Sequence, residues 1–157
     1  MARRPSPEIA RRDVLLAAAG LFLLGPGFGG VGPAAADQAA VAAALKNLVG
    51  DKPMSEGKVT LTMPEIAENG NTVPLEIAVE SPMTDADFVK AVHVLAEGNP
   101  QPDVVSFFFT PASGKAAAAT RMRLASTQNV IAVAEMSDGS LYTTKREVKV
   151  TIGGCGG

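Results

Sequence analysis

The chain has 157 residues, enough for one domain and short for two. Its formal charge is −2, from 14 basic and 16 acidic residues, and no basic cluster lies beyond the amino terminus, which excludes a nucleic-acid-binding surface. Aromatic residues make up 4% and tryptophan is absent, so the core must be built from small aliphatic side chains, which suit thin packed sheets better than the walls of a large enzyme cleft.

Residues 1–36 read as an export signal rather than as part of the fold. Arg11 and Arg12 precede an apolar run at 14–24. That run is about half the roughly 20 residues that a membrane-spanning helix needs. Ala34, Ala35 and Ala36 then supply a small-residue cleavage site, leaving Asp37 as the mature amino terminus. Paired arginines before a short apolar segment resemble a twin-arginine signal. Ala10 stands where that signal prefers Ser or Thr, and the Phe preferred after the arginines is missing, so a general-secretion signal is the alternative. Both place the domain in the periplasm, with no membrane attachment after cleavage.

A helix is expected from Asp37, as its N-cap, to Val49, because Val41, Ala44, Leu45 and Leu48 form one apolar stripe. Gly50 and Pro53 end it. From Lys58 the apolar period becomes two, the mark of half-buried strands. Seven are expected, at about 58–63, 73–80, 88–96, 104–110, 116–125, 130–136 and 141–152. Turn signals separate them: Glu68-Asn69-Gly70-Asn71, the corner Gly98-Asn99-Pro100, and the hairpin Ser137-Asp138-Gly139-Ser140. In the last strand Val148, Val150 and Ile152 are expected inward. Strand alternation requires Phe108 to point away from Phe107 and Phe109, leaving one apolar ring that wants covering. The pattern predicts a mainly β chain, an immunoglobulin-like antiparallel β-sandwich of about seven strands with one N-terminal helix and a flexible C-terminal arm. The Cys–Trp–Cys marks of antibody domains are absent. The expected division is 1–36 signal, 37–152 sandwich, 153–157 arm.

The arm is Gly153-Gly154-Cys155-Gly156-Gly157. Cys155 is the only cysteine, so no internal disulfide can form, and an unpaired thiol in an oxidising compartment asks for a reason. Glycines on both sides carry no side chain, so only backbone must pass into a narrow tunnel. Three extended steps from Ile152 give a reach of about 10 Å. No His, Lys or Arg lies in the tail to lower the thiol pKa, and the terminal carboxylate opposes thiolate formation. Cys155 therefore reads as an attachment point activated by whatever docks on it, rather than as a catalytic nucleophile.

Other chemistry is thin. His93 is the only histidine and is expected on a strand face with Val89, Ala91 and Leu95, structural or interfacial; alone it cannot make a zinc site. Asp85 with Asp87, and Glu65 with Glu68, read as solvated loop charges. Ser137 and Ser140 have no evident base. Met54, Met63, Met83, Met122 and Met136 show no clustered spacing and read as core or surface filling. One cysteine cannot support Cys-x-x-Cys redox chemistry. What remains is a soft sulfur that can form and break sulfur–sulfur bonds. A structural or adhesive sandwich linked by an intermolecular disulfide at Cys155, and a thiol peroxidase, are the competing readings.

The leader, the helix, the stretch from His93 to Pro102, the segments Thr120-Arg121-Met122-Arg123-Leu124 and Glu135-Met136-Ser137-Asp138-Gly139, and above all the terminal Gly-Gly-Cys-Gly-Gly resemble the SoxY family. That family supplies the carrier subunit of the periplasmic sulfur-oxidising system. The resemblance implies a non-catalytic carrier without cofactor or metal, with Cys155 as the covalent substrate attachment and Gly153, Gly154, Gly156 and Gly157 as its flexible arm. It implies a heterodimer with a SoxZ-like subunit. It also implies visits from a SoxAX-like haem enzyme that conjugates thiosulfate, a SoxB-like hydrolase that releases sulfate and, where present, a sulfane dehydrogenase. The Phe107 to Phe109 run is the expected contact with the partner subunit.

Overall fold

The computed structural model describes residues 33–153. Most of the assigned leader, and Gly154, Cys155, Gly156 and Gly157 of the arm, lie outside the described residues. No described helix is long and apolar enough to cross a membrane.

Helix α1 spans Pro33–Val49. It starts four residues before the expected cap, so Asp37 lies within it. Proline suits the first turn because its missing N–H has no partner there, and the alanines after it are strong helix formers. Gly50 ends the helix at φ 77°, its N–H bonding Lys46 O at 3.0 Å.

Nine strands follow in two sheets: β1 Met54–Glu56, β2 Val59–Thr62, β3 Ile66–Asn69, β4 Val73–Val79, β5 Val89–Ala96, β6 Asp103–Phe108, β7 Ala116–Met122, β8 Gln128–Met136 and β9 Leu141–Ile152. The larger sheet has the order β1-β9-β8-β5-β6, with β3 also on β9; the smaller is β2-β4-β7. The seven expected strands are all present. The additional two, β1 and β3, both pair parallel to β9, β1 along Leu141 to Thr143 and β3 along Lys149 to Ile152. Neither alternates apolar with polar residues, β1 being exposed throughout and β3 burying only Ala67, and β3 runs into the residues that read as a turn. The chain crosses between sheets at Gly57 and Lys58, both at positive φ, and again around Pro64 and Gly70.

The strand period places the core. Val59, Leu61, Leu75, Ile77, Met122 and Leu124 of the smaller sheet and its flanks meet Val92, Val94, Val130, Ala132, Met136 and Val148 of the larger. Burying a residue such as Leu75 or Leu124 fully contributes about 1.5–3 kcal/mol. The larger sheet is covered on its other face too. There α1 brings Val49, with Leu45 and Leu48, onto Val133, Leu141 and Ile131. β8 therefore alternates between two apolar environments.

Two expected orientations are corrected. A β-bulge between Val89 and Ala91 breaks the alternation, so Val89 faces the inter-sheet core, whereas His93 pairs with Val133 on the helix side. Ile152 is 69% exposed rather than inward, because β9 outruns the core it helps to build.

Candidate functional site: the carboxyl-terminal end of β9

The residues that lead into the arm are held from both sides. Along one edge of β9, β8 pairs Gln128 with Val148, and Val150 N donates to Thr127 Oγ1 at 3.0 Å. Along the other, β3 pairs Ala67 with Val150 and Asn69 with Ile152. Thr151 Oγ1 donates to Glu68 O at 3.0 Å, and Gly70 N donates to Ile152 O at 2.8 Å. Gly153, the last described residue, is half-buried against the Ala125 carbonyl, where a Cβ would collide with the oxygen. Cys155 thus follows three residues after a well-tied strand end at Ile152.

A polar cluster braces the loop that carries Ala125. Asn99 Oδ1 accepts from Ala125 N and from Gln128 Nε2, both at 3.0 Å. Asn99 Nδ2 donates to Arg123 O at 2.9 Å. Gln128, 7% exposed, accepts from Gly98 N at 2.7 Å and donates to Ser126 O at 3.1 Å. Sequence reasoning read Asn99 only as part of a corner and passed over Gln128. The available signal was a pair of amide side chains, Gln128 and Asn129, heading the apolar run Val130 to Ala134.

His93 is 4% exposed, with Nδ1 2.7 Å from Ser106 Oγ and its ring edge-on to Phe108 at 6.3 Å. Burial lowers its pKa below 6.5, opposed by the charges of Asp103 and Glu135, so it is neutral at pH 7. Phe107 and Phe109 pack on the core, while Phe108 is 76% exposed on the edge strand β6, as alternation required.

The remaining candidates stay apart. Asp85, Asp87, Glu65 and Glu68 are exposed. Ser140 Oγ donates to Asp138 Oδ1 at 2.6 Å, and Ser140 N donates to the same oxygen; these bonds hold the Asp138 carboxyl below its usual pKa and tie the β8–β9 hairpin. Four of the five methionines named above are buried in the core, and Met54 is exposed. Among the described residues no three His, Cys, Asp or Glu side chains are grouped to hold a metal. The groove over Thr62, Glu76 and Lys115, about 320 Å³, is open and floored by Ala117, Ala118 and Ala119.

Comparison with known proteins fits this geometry. The family model described as sulfur oxidation protein SoxY matches residues 45–155, so the match runs through Cys155. The solved structure of the sulfur carrier protein SoxY from Chlorobium limicola is 34% identical, covers 73% of this chain and 99% of that one, and superimposes with a TM-score of 0.62. A superoxide reductase (neelaredoxin) from Ignicoccus hospitalis is 16% identical over 60% of this chain and 80% of that one, with a TM-score of 0.54, a likeness of fold alone. No curated protein sequence matches significantly. On the family match and the structural likeness together, the chain belongs to the SoxY family of sulfur oxidation proteins.

Proposed function

We propose that the protein is a non-catalytic, periplasmic carrier of sulfur intermediates, holding them covalently on Cys155 while partner enzymes act on them. The observation that carries this reading is the family match running through the chain's sole thiol, three residues past a β-strand braced on both edges. A rigid strand end followed by residues without side chains suits presentation of a sulfur to a narrow active site.

In the loading step the Cys155 sulfur and the sulfane sulfur of thiosulfate form an S–S bond. Two electrons pass to a haem partner and the thiol proton is released, leaving a cysteine S-thiosulfonate. A hydrolase partner then adds water across the terminal S–S bond, releasing sulfate and one proton and leaving a persulfide, with its own proton, on Cys155. Neither step needs an acid, base or metal from this chain. A second, SoxZ-like subunit forms the heterodimer, with the exposed Phe108 on the open edge of β6 as the contact ring. The twin-arginine-type leader, residues 1–36, directs export.

Mass analysis of the native carboxyl-terminal peptide tests the reading. A thiosulfonate or persulfide adduct on Cys155, absent in Cys155→Ser, is expected. An interchain Cys155 disulfide as the dominant state, with no sulfur adduct after incubation with thiosulfate and the haem partner, would overturn it in favour of a structural cross-link.

A further inference from the structure

Resting on the reading of Cys155 as the attachment point, we propose that Gly153 is the anchor of the arm rather than its first free link. The missing Cβ seats the backbone on the Ala125 carbonyl, and the Asn99–Gln128 amide pair holds that carbonyl in position. An added Cβ would meet the Ala125 oxygen, a backbone atom, far inside van der Waals contact. A flexible side chain could swing away from such a clash; this carbonyl has little freedom to do so. Ala125 N is bonded to Asn99 Oδ1, Asn99 Nδ2 to Arg123 O, and Gln128 bridges Asn99, Gly98 and Ser126. The next residue back, Leu124, is fully buried, and its N–H donates to Gly70 O at 2.8 Å. Gly70 N in turn donates to Ile152 O. Ile152, Gly70, Leu124, Ala125 and Gly153 thus close a ring around the strand end.

The ring shortens and aims the tether. Counted from Gly153, two Cα steps reach Cys155, about 7 Å, against about 10 Å counted from Ile152. A shorter tether from a fixed origin raises the effective concentration of the thiol at an enzyme docked on the domain. Asn99 and Gln128 are positioning residues in this scheme: they touch neither sulfur nor partner, and act through Ala125.

Two readouts test the anchor in the full chain: hydrogen exchange at the Gly70 amide, and the motion of a nitroxide attached to Cys155, whose uniqueness removes background. In Gly153→Ala, Gly70 exchange should accelerate at least about tenfold and the nitroxide should move faster, with global unfolding nearly unchanged, because only the strand end opens. Asn99→Ala should act in the same direction. Asn99→Asp, which keeps the Oδ1 acceptor, should recover part of the protection. Gly154→Ala should leave Gly70 exchange at the wild-type rate. Equal exchange and equal nitroxide motion in wild type, Gly153→Ala and Asn99→Ala would overturn the proposal. Neither readout involves sulfur chemistry, so that result sinks the anchor alone, whereas a missing sulfur adduct on Cys155 sinks the carrier reading alone.

Discussion

At the scale of single residues, His93 and Phe108 are neighbours with opposite fates. His93 is buried neutral, and burial outweighs the pull of Asp103 and Glu135 on its pKa. As pH falls through about 6.5, the unfolded chain binds a proton that the folded chain refuses. Folding stability is therefore full above that pH and declines below it, towards the depressed folded value. Urea unfolding at pH 7.5 and pH 5.5 should show a lower midpoint in acid, and His93→Gln should flatten the difference. Phe108 has most of its ring in water. Phe108→Ser should change the stability of the isolated chain by no more than about 0.5 kcal/mol. The same change should weaken binding of the partner subunit tenfold or more, about 1.4 kcal/mol, by titration calorimetry. An intact heterodimer in that variant would remove Phe108 from the interface.

At the scale of elements, β9 is the member on which the others converge. Its start pairs with β1, its end with β3, and its other edge, from Leu141 to Val148, with β8. The two short parallel strands contribute little core of their own. Their effect is to satisfy the free edge of β9, which would otherwise expose a row of unpaired backbone groups close to the arm. Helix α1 does the corresponding work on the outer face, where Val49 fills the space over Val133 and Leu141. Val49→Ala removes two buried methyl groups and should cost about 1.5 kcal/mol in chemical denaturation, with no change in the loading of Cys155 by sulfur. A loading defect as large as the stability defect would tie the helix to the carrier function.

For the whole molecule, the division of labour is between a packed sandwich and a terminal thiol. Core substitutions and arm substitutions should separate accordingly. Leu75→Ala, in the fully buried inter-sheet core, should cost about 2–5 kcal/mol yet accept sulfur normally at temperatures where it stays folded. Cys155→Ser should unfold like the wild type and accept none, read by intact mass. Among the described residues the acidic pairs are exposed, and the groove over the smaller sheet is floored by alanine. Under the proposed function such a body suits a carrier, since beyond the Cys155 thiol the reactive groups would come from the enzymes that act on its cargo.

The sequence by itself determined seven of the strands, the helix and the exposure of Phe108, because each follows from a period of two or 3.6 that a few consecutive residues display. It also singled out Cys155, since a unique thiol among glycines is a statement about composition and needs no neighbours in space. Only the tertiary structure decided where the bulge turns Val89 into the core, that β1 and β3 line the edge of β9, and that Asn99, Gln128 and Ala125 brace the base of the arm. These are contacts between segments distant along the chain, made by short strands without apolar alternation or by amide side chains, and no local period records them. Gly153 shows the limit most plainly: in the sequence it is one glycine of four, and only the carbonyl of Ala125 gives it a different task.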